Sequence, residues 1–164
     1  MLRDFRPTDR GDFVALVDDE AMFTYMKFRL DDASAHQKFD LFIAEPHTDP
    51  RRIWDLVIES PTGEFAGWAG LDGRSDDGEA EVGWYLPSHQ WGRGYATEAT
   101  RLLMDFGCRT LGYRRLFATA DPANAASRRV LEKSGLTHVG VVEGVQTWSG
   151  VRPRVMYEWR CASA

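Results

Sequence analysis

From Arg52 the chain takes up the alternation of strands, and that pattern runs into residues 89–100, "HQWGRGYATEAT", where two glycines flank one arginine ahead of a run of helix formers. Delivering a strand into a helix through Gly92, Arg93, Gly94 and the small Ala96 leaves bare backbone N–H groups beside the positive end of the helix dipole. Such a corner favours an anion, phosphate above all. Two familiar phosphate loops do not fit. The P-loop needs a Lys-Ser/Thr pair that is absent, and the dinucleotide fingerprint needs three glycines within a parallel βαβ unit. A plain tight connection is the competing reading of the loop taken by itself.

The surrounding order narrows the fold. "LRDFRP" reads as a short strand, after which Thr8 predicts an N-cap for a helix with Phe13, Leu16 and Val17 at helical spacing. Ser34 predicts a second cap, ahead of Ala35, Phe39, Phe42 and Ile43. "RIWDLVIE", "FAGWAGLD" and "AEVGWYLP" follow as strands, the first two joined by the turn "SPTG" and the third preceded by the polar loop "GRSDDGE", which makes an antiparallel meander. A helix is predicted from about Thr97 to Leu111, with Ala99, Leu102, Leu103, Phe106 and Thr110 on one face and Gly112 as its stop. "RRLFATA" is a strand and "DPANAASRRVLEKSGL" a helix, with Asn124 as cap and Gly135 at its end. "THVGVVEG" and "RVMYEW" close the chain as a hairpin joined by the longer loop "VQTWSGVRP". The class is mixed α+β, and no repeat, low-complexity stretch or linker divides residues 1–164, which reads as a single domain.

Charge and cysteine usage exclude several functions. A net charge of −5 argues against a sequence-independent nucleic-acid binder. Apolar runs fall short of a membrane span, and "MLRDFRPTDRGD" alternates charges where a signal peptide needs an apolar centre, so a cytoplasmic protein is expected. Cys108 and Cys161 make no metal spacing and read as free thiols. His36, His47, His89 and His138 fall in loops or helix ends and show no partner in sequence.

Three blocks in order, "EVGWYL", "WGRGYATEA" and "NAASRRVLEKSGL", resemble the GNAT family of acetyl-CoA-dependent N-acetyltransferases, over essentially the whole chain. The branch they look like holds the ribosomal-protein N-terminal (Rim-type) enzymes and many antibiotic or small-amine acetyltransferases. The resemblance implies a three-layer α+β fold with a central, mostly antiparallel sheet flanked by helices. That sheet is splayed where the "GWYL" strand leaves its neighbour at a bulge. It implies acetyl-CoA as cosubstrate, its pantetheine arm along Trp84, Tyr85 and Leu86 and its pyrophosphate on the backbone of Gly92, Arg93, Gly94, Ala96 and Thr97. The family's loop opens with Arg or Gln where this chain has Trp91, and Arg93 is left to meet phosphate charge from the solvent side. Asn124 matches an asparagine that contacts the cofactor arm, and Ser127 a serine that hydrogen-bonds the leaving thiolate.

Acyl transfer to an amine needs the amine uncharged. For a lysine-like acceptor that costs about 4 kcal/mol near neutral pH, for an α-amine roughly 1 kcal/mol. Glu81, on the strand face shared with Gly83 and Tyr85, is the candidate base; pairing with a nearby arginine is its structural alternative. The chemistry requires no metal. The implied partner is an amine acceptor, small molecule or protein N-terminus, with neither nucleic acid nor membrane, and a homodimer is left open. The acceptor is set by the first two helices, the Met22–Leu30 segment and the last hairpin, where Gln146, Trp148, Arg152 and Arg154 lie; arginine at 154 suits an acceptor bearing a carboxylate or phosphate. Two other readings compete: a GNAT-like module that holds CoA as a sensor or partner without catalysis, and an unrelated phosphate-ligand protein, which leaves the "NAAS" block unexplained.

Overall fold

A computed structural model describes residues 1–26, 28–75 and 77–162. Lys27 of the expected acceptor wall, Asp76 of the polar loop and the last two residues of the expected domain lie outside it. Seven strands form one sheet: β1 (Leu2–Arg3), β2 (Ile53–Glu59), β3 (Phe65–Asp72), β4 (Glu79–Tyr85), β5 (Arg115–Ala120), β6 (Thr137–Thr147) and β7 (Gly150–Arg160). Their order is β1-β2-β3-β4-β5-β7-β6, antiparallel throughout except for the parallel pair β4 and β5. Helices α1 (Arg10–Val17), α2 (Glu20–Phe23) and α3 (Asp32–Ala44) precede β2, α4 (Tyr95–Arg109) joins β4 to β5, and α5 (Ala125–Ser134) joins β5 to β6.

Alternation along the strands divides the core into two layers. Val57 and Trp68 face α1 and α3, where Phe5, Phe13, Phe39 and Phe42 pack ring against ring. Ile58, Ala69, Leu71, Ala80 and Val82 face α4 and α5, meeting Leu103, Met104 and Leu131. A helix on each face of a sheet buried on both sides is what the period-two pattern demands. The α+β class and the flanked, mostly antiparallel sheet follow the expectation.

Several local expectations are corrected. Thr8 lies inside a 3-10 turn, Pro7–Asp9, whose Asp9 carboxylate accepts the Arg6 N–H at 2.7 Å and pairs with Arg3 at 2.8 Å. Asp31, not Ser34, caps α3, accepting the Ser34 N–H at 2.8 Å. Helix α4 begins two residues before Thr97, because Gly94 in the left-handed region (φ 88) turns the chain straight into it. Its buried stripe is Ala99, Thr100, Leu103, Met104 and Gly107, while Leu102 and Thr110 are exposed. The closing hairpin turns at Trp148 and Ser149 alone, so most of the expected loop is strand. His36 lies within α3 and His138 within β6. Cys108 and Cys161 are not free: they form a disulfide with a Cα separation of 5.4 Å, tying α4 to the end of β7 across 53 residues of sequence.

Candidate active site

The site originates in the pairing of β4 with β5. That ladder runs only from Glu79↔Arg115 to Glu81↔Phe117, yet β4 continues to Tyr85 and β5 to Ala120. Beyond Glu81 the strands part, β5 staying paired to β7 up to Ala120↔Val155 and β4 to β3 up to Tyr85↔Trp68. The β3–β4 and β4–β5 registers carry no shift, so the expected bulge does not cause the parting.

A cleft of 510 Å³ fills the gap. Glu81, Trp84 and Tyr85 line it from β4, Leu86 from just beyond that strand, and Ala118, Thr119 and Ala120 from β5. At one end are Trp91, Gly92, Gly94, Ala96 and Thr97; Asn124, Ser127, Arg129 and Lys133 reach it from α5 and its cap, Met22, Tyr25 and Met26 from α2 and the residues after it, and Arg154 from β7. Met22 and Met26 belong to the core as well as to this wall.

The glycine loop is a run of unused donors. The first helical bond of α4 is donated by Glu98 to the Gly94 carbonyl at 3.0 Å, and among the described residues the amides of 92–97 meet no acceptor within the chain. Gly92 (φ 75) and Gly94 (φ 88) take a backbone shape that other residues rarely adopt, and a Cβ on either would meet no neighbouring atom. Trp91 precedes the loop, its indole Nε1 donating to the Leu86 carbonyl at 2.8 Å. Arg93 is the one expected loop residue not lining the cleft: its guanidinium donates to Gln90 Oε1 at 2.7 Å.

At α5, Asn124 caps the helix as expected, its Oδ1 accepting the Ser127 N–H at 3.0 Å. The Ser127 hydroxyl has no partner among the described residues. On β4, Glu81 shares a face with Tyr85, and the Thr119 hydroxyl donates to Glu81 Oε1 at 3.4 Å. Tyr85 packs against Trp68 with ring centroids 4.1 Å apart and the planes tilted by 30°. Burial, reinforced by the carboxylates of Glu81 and Asp55, pushes its phenol well above the usual tyrosine range.

Of the hairpin residues expected at the acceptor end, only Arg154 lines the cleft; the Trp148 indole instead ties the hairpin to the Phe23 carbonyl at 3.1 Å. Arg154 is 6% exposed. Thr119, Arg129 and Lys133 are lining residues that sequence reading missed. For the two cations the available signal was their spacing of four on one face of α5.

The family model for an acetyltransferase (GNAT) domain matches residues 1–137. The chain belongs to the GNAT acetyltransferase family. Among sequences, YkkB of Bacillus subtilis (strain 168) is 33% identical over 108 residues, 65% of this chain and 59% of YkkB. The uncharacterized N-acetyltransferase p20 of Bacillus licheniformis is 30% identical over 95 residues, 57% of this chain and 53% of p20. The chain thus spans little more than half the length of these curated relatives. Among solved GNAT structures, Mycobacterium smegmatis RimJ in complex with CoA-disulfide superposes with a TM-score of 0.84 at 21% identity, covering 97% of this chain and 80% of RimJ. Vibrio cholerae spermidine N-acetyltransferase in complex with CoA and spermine gives 0.82 at 15%, covering 98% of this chain and 95% of the other.

Proposed function

We propose that the protein is an N-acetyltransferase that carries the acetyl group of acetyl-CoA to a primary amine by direct attack. The observation that carries this is the parting of β4 from β5 beyond Glu81, with the unused amides of residues 92–97 at one end of the gap. The CoA-disulfide bound by RimJ and the CoA bound by the spermidine enzyme support it.

The residues fit the cosubstrate. Loop amides and the α4 dipole suit the pyrophosphate, with Arg129 and Lys133 adding positive charge. The edge of β4 that β5 leaves unpaired, at Trp84 and Tyr85, and the backbone of Leu86 just beyond it offer groups to an extended amide-containing arm, as an added strand would. Asn124 suits the same arm. Acetyl-CoA supplies a thioester whose carbonyl carbon forms a C–N bond with the amine as its C–S bond breaks.

Glu81 accepts the proton that the amine must lose, directly or through water. An amide on the free edge of β4 polarises the carbonyl oxygen. Ser127 donates its hydroxyl to the sulfur as negative charge develops there. The test is release of CoA thiol from acetyl-CoA against a panel of ribosomal N-terminal peptides, polyamines, aminoglycosides and amino acids. Amine-dependent release is expected, and its absence across the panel contradicts the proposal.

A further inference from the structure

Arg154 is a buried cation of the cleft whose donors are only partly used. Its guanidinium has five N–H donors. Nη1 donates to the Tyr25 carbonyl and Nη2 to the Thr119 carbonyl, each at 3.2 Å, while the buried Nε has no partner. Among the described residues it makes no ion pair, so at hydrogen-bond distance only two carbonyl dipoles meet its charge. A buried cation without a counter-ion is costly, and an arriving anion relieves that cost. Burial pulls its pKa down, opposed by the carboxylates of Asp121 and Glu81, neither of them in ion-pair contact with it.

Its position relative to Glu81 defines the ligand. Thr119 touches both, its hydroxyl donating to the Glu81 carboxylate at 3.4 Å and its carbonyl accepting from Arg154 at 3.2 Å. A carboxylate for an ammonium and a guanidinium for an anion therefore stand one residue apart, on a cleft whose adjoining wall is Met22 and Met26. Polyamines would leave Arg154 uncompensated and bring a second cation beside it. A phosphate dianion would set two charges near Glu81 against a single guanidinium, whereas a carboxylate matches that guanidinium one for one.

We infer that the acceptor carries a carboxylate a few bonds from its reacting amine, as an amino acid with an apolar side chain does, and that Arg154 receives it. This rests on the acetyltransferase reading. The acetyl group passes from sulfur to nitrogen, the C–S bond breaking as the C–N bond forms; the ammonium's two lost protons go one to the base and one to the departing thiolate. The carboxylate is unchanged.

The experiment compares thiol release from acetyl-CoA for methionine, leucine and phenylalanine with release for their carboxamides and for an aminoalkyl phosphate, using the full chain. The carboxamide amines are less basic, so a preference for the acids runs against intrinsic reactivity. Wild-type protein is expected to favour the acids by about 10- to 100-fold in kcat/KM, and Arg154→Gln to bring that ratio towards one. Arg154→Lys should keep part of it. Were Arg154 only a strut between Tyr25 and Thr119, its loss would lower both substrates alike and leave the ratio standing. Equal or better use of the carboxamides by wild type overturns the inference, even if Arg154→Gln fails to fold. A preference for the phosphate overturns the carboxylate assignment. Turnover of other amines with none of these acids overturns the inference and leaves the acetyltransferase reading intact; no turnover with any amine overturns both.

Discussion

Glu81 stands opposite Phe117 in the last rung that β4 and β5 share. The carboxylate proposed to take the amine's proton thus sits where the sheet opens, on the rung that ends the ladder. Replacing it with Gln keeps the size and removes the basicity. We expect Glu81→Gln to lower kcat about 100-fold with little change in the KM for acetyl-CoA. The deficit should shrink as pH rises, most for acceptors of high pKa, because solvent then supplies the neutral amine. A pH–rate profile of the variant parallel to that of wild type assigns Glu81 to structure.

Ser127 follows its cap, Asn124, by three residues, so one turn of helix brings both to the cleft. Its hydroxyl is expected to act mainly in the transition state. Ser127→Ala should cut kcat by about 10- to 100-fold, roughly 1.4 to 2.7 kcal/mol, with CoA affinity little changed. Steady-state kinetics alongside a melting curve decide it. Turnover within about twofold of wild type together with a lower melting temperature makes the serine a packing residue.

Much of this was legible because it depends on local pattern. Alternation along "AEVGWYLP" places Ala80 and Val82 against α4 and leaves Glu81 on Tyr85's side. Asn124 and Gly135 bracket α5 by cap chemistry alone. What depends on distance in space was not legible. The Cys108–Cys161 pair is separated by 53 residues, and only the docking of β7 beside β5 brings it together. Arg154 looks like one of several hairpin cations, and its burial is set by Tyr25 and Thr119, 129 and 35 residues away. The α4 stripe was misplaced because Thr100 is buried, its hydroxyl donating back to the Ala96 carbonyl at 2.7 Å.

The disulfide gives a stability prediction. Closing a loop of this length removes denatured-state entropy equivalent to about 4 kcal/mol in the chain-entropy model. Reduction, or Cys108→Ala, should lower the melting temperature by several degrees or more. Under denaturing conditions, maleimide should label neither cysteine before reduction and both after. Full labelling of oxidised protein contradicts the bond.

Glu45 supplies a pH prediction away from the site. It is 8% exposed, and its Oε1 accepts the Asp55 N–H at 3.0 Å and pairs with Arg51 at 3.3 Å. Burial first, then the Asp55 charge, push its carboxyl up to about 7, above the unfolded value of 4.5. A raised carboxyl contributes stability that is fully present below pH 4.5 and is lost as pH rises through about 7. The unfolding free energy of Glu45→Gln minus that of wild type should therefore grow by about 1 to 3 kcal/mol between about pH 5 and about pH 8. A pH-independent difference in denaturant titrations removes Glu45 from that role.

Acetyl transfer at this site requires that the gap between β4 and β5, bounded at one end by residues 92–97, take CoA. Isothermal titration of the folded protein with CoA tests this most directly, with Gly94→Val beside it. Valine at φ 88 is strained, and its side chain would project into the open space before the loop. Wild type is expected to bind with a Kd in the micromolar range, and Gly94→Val at least about 10-fold more weakly while keeping the wild-type circular dichroism spectrum. No heat of binding from a demonstrably folded wild type contradicts the central claim, and unchanged affinity in Gly94→Val reduces the glycine loop to a connector.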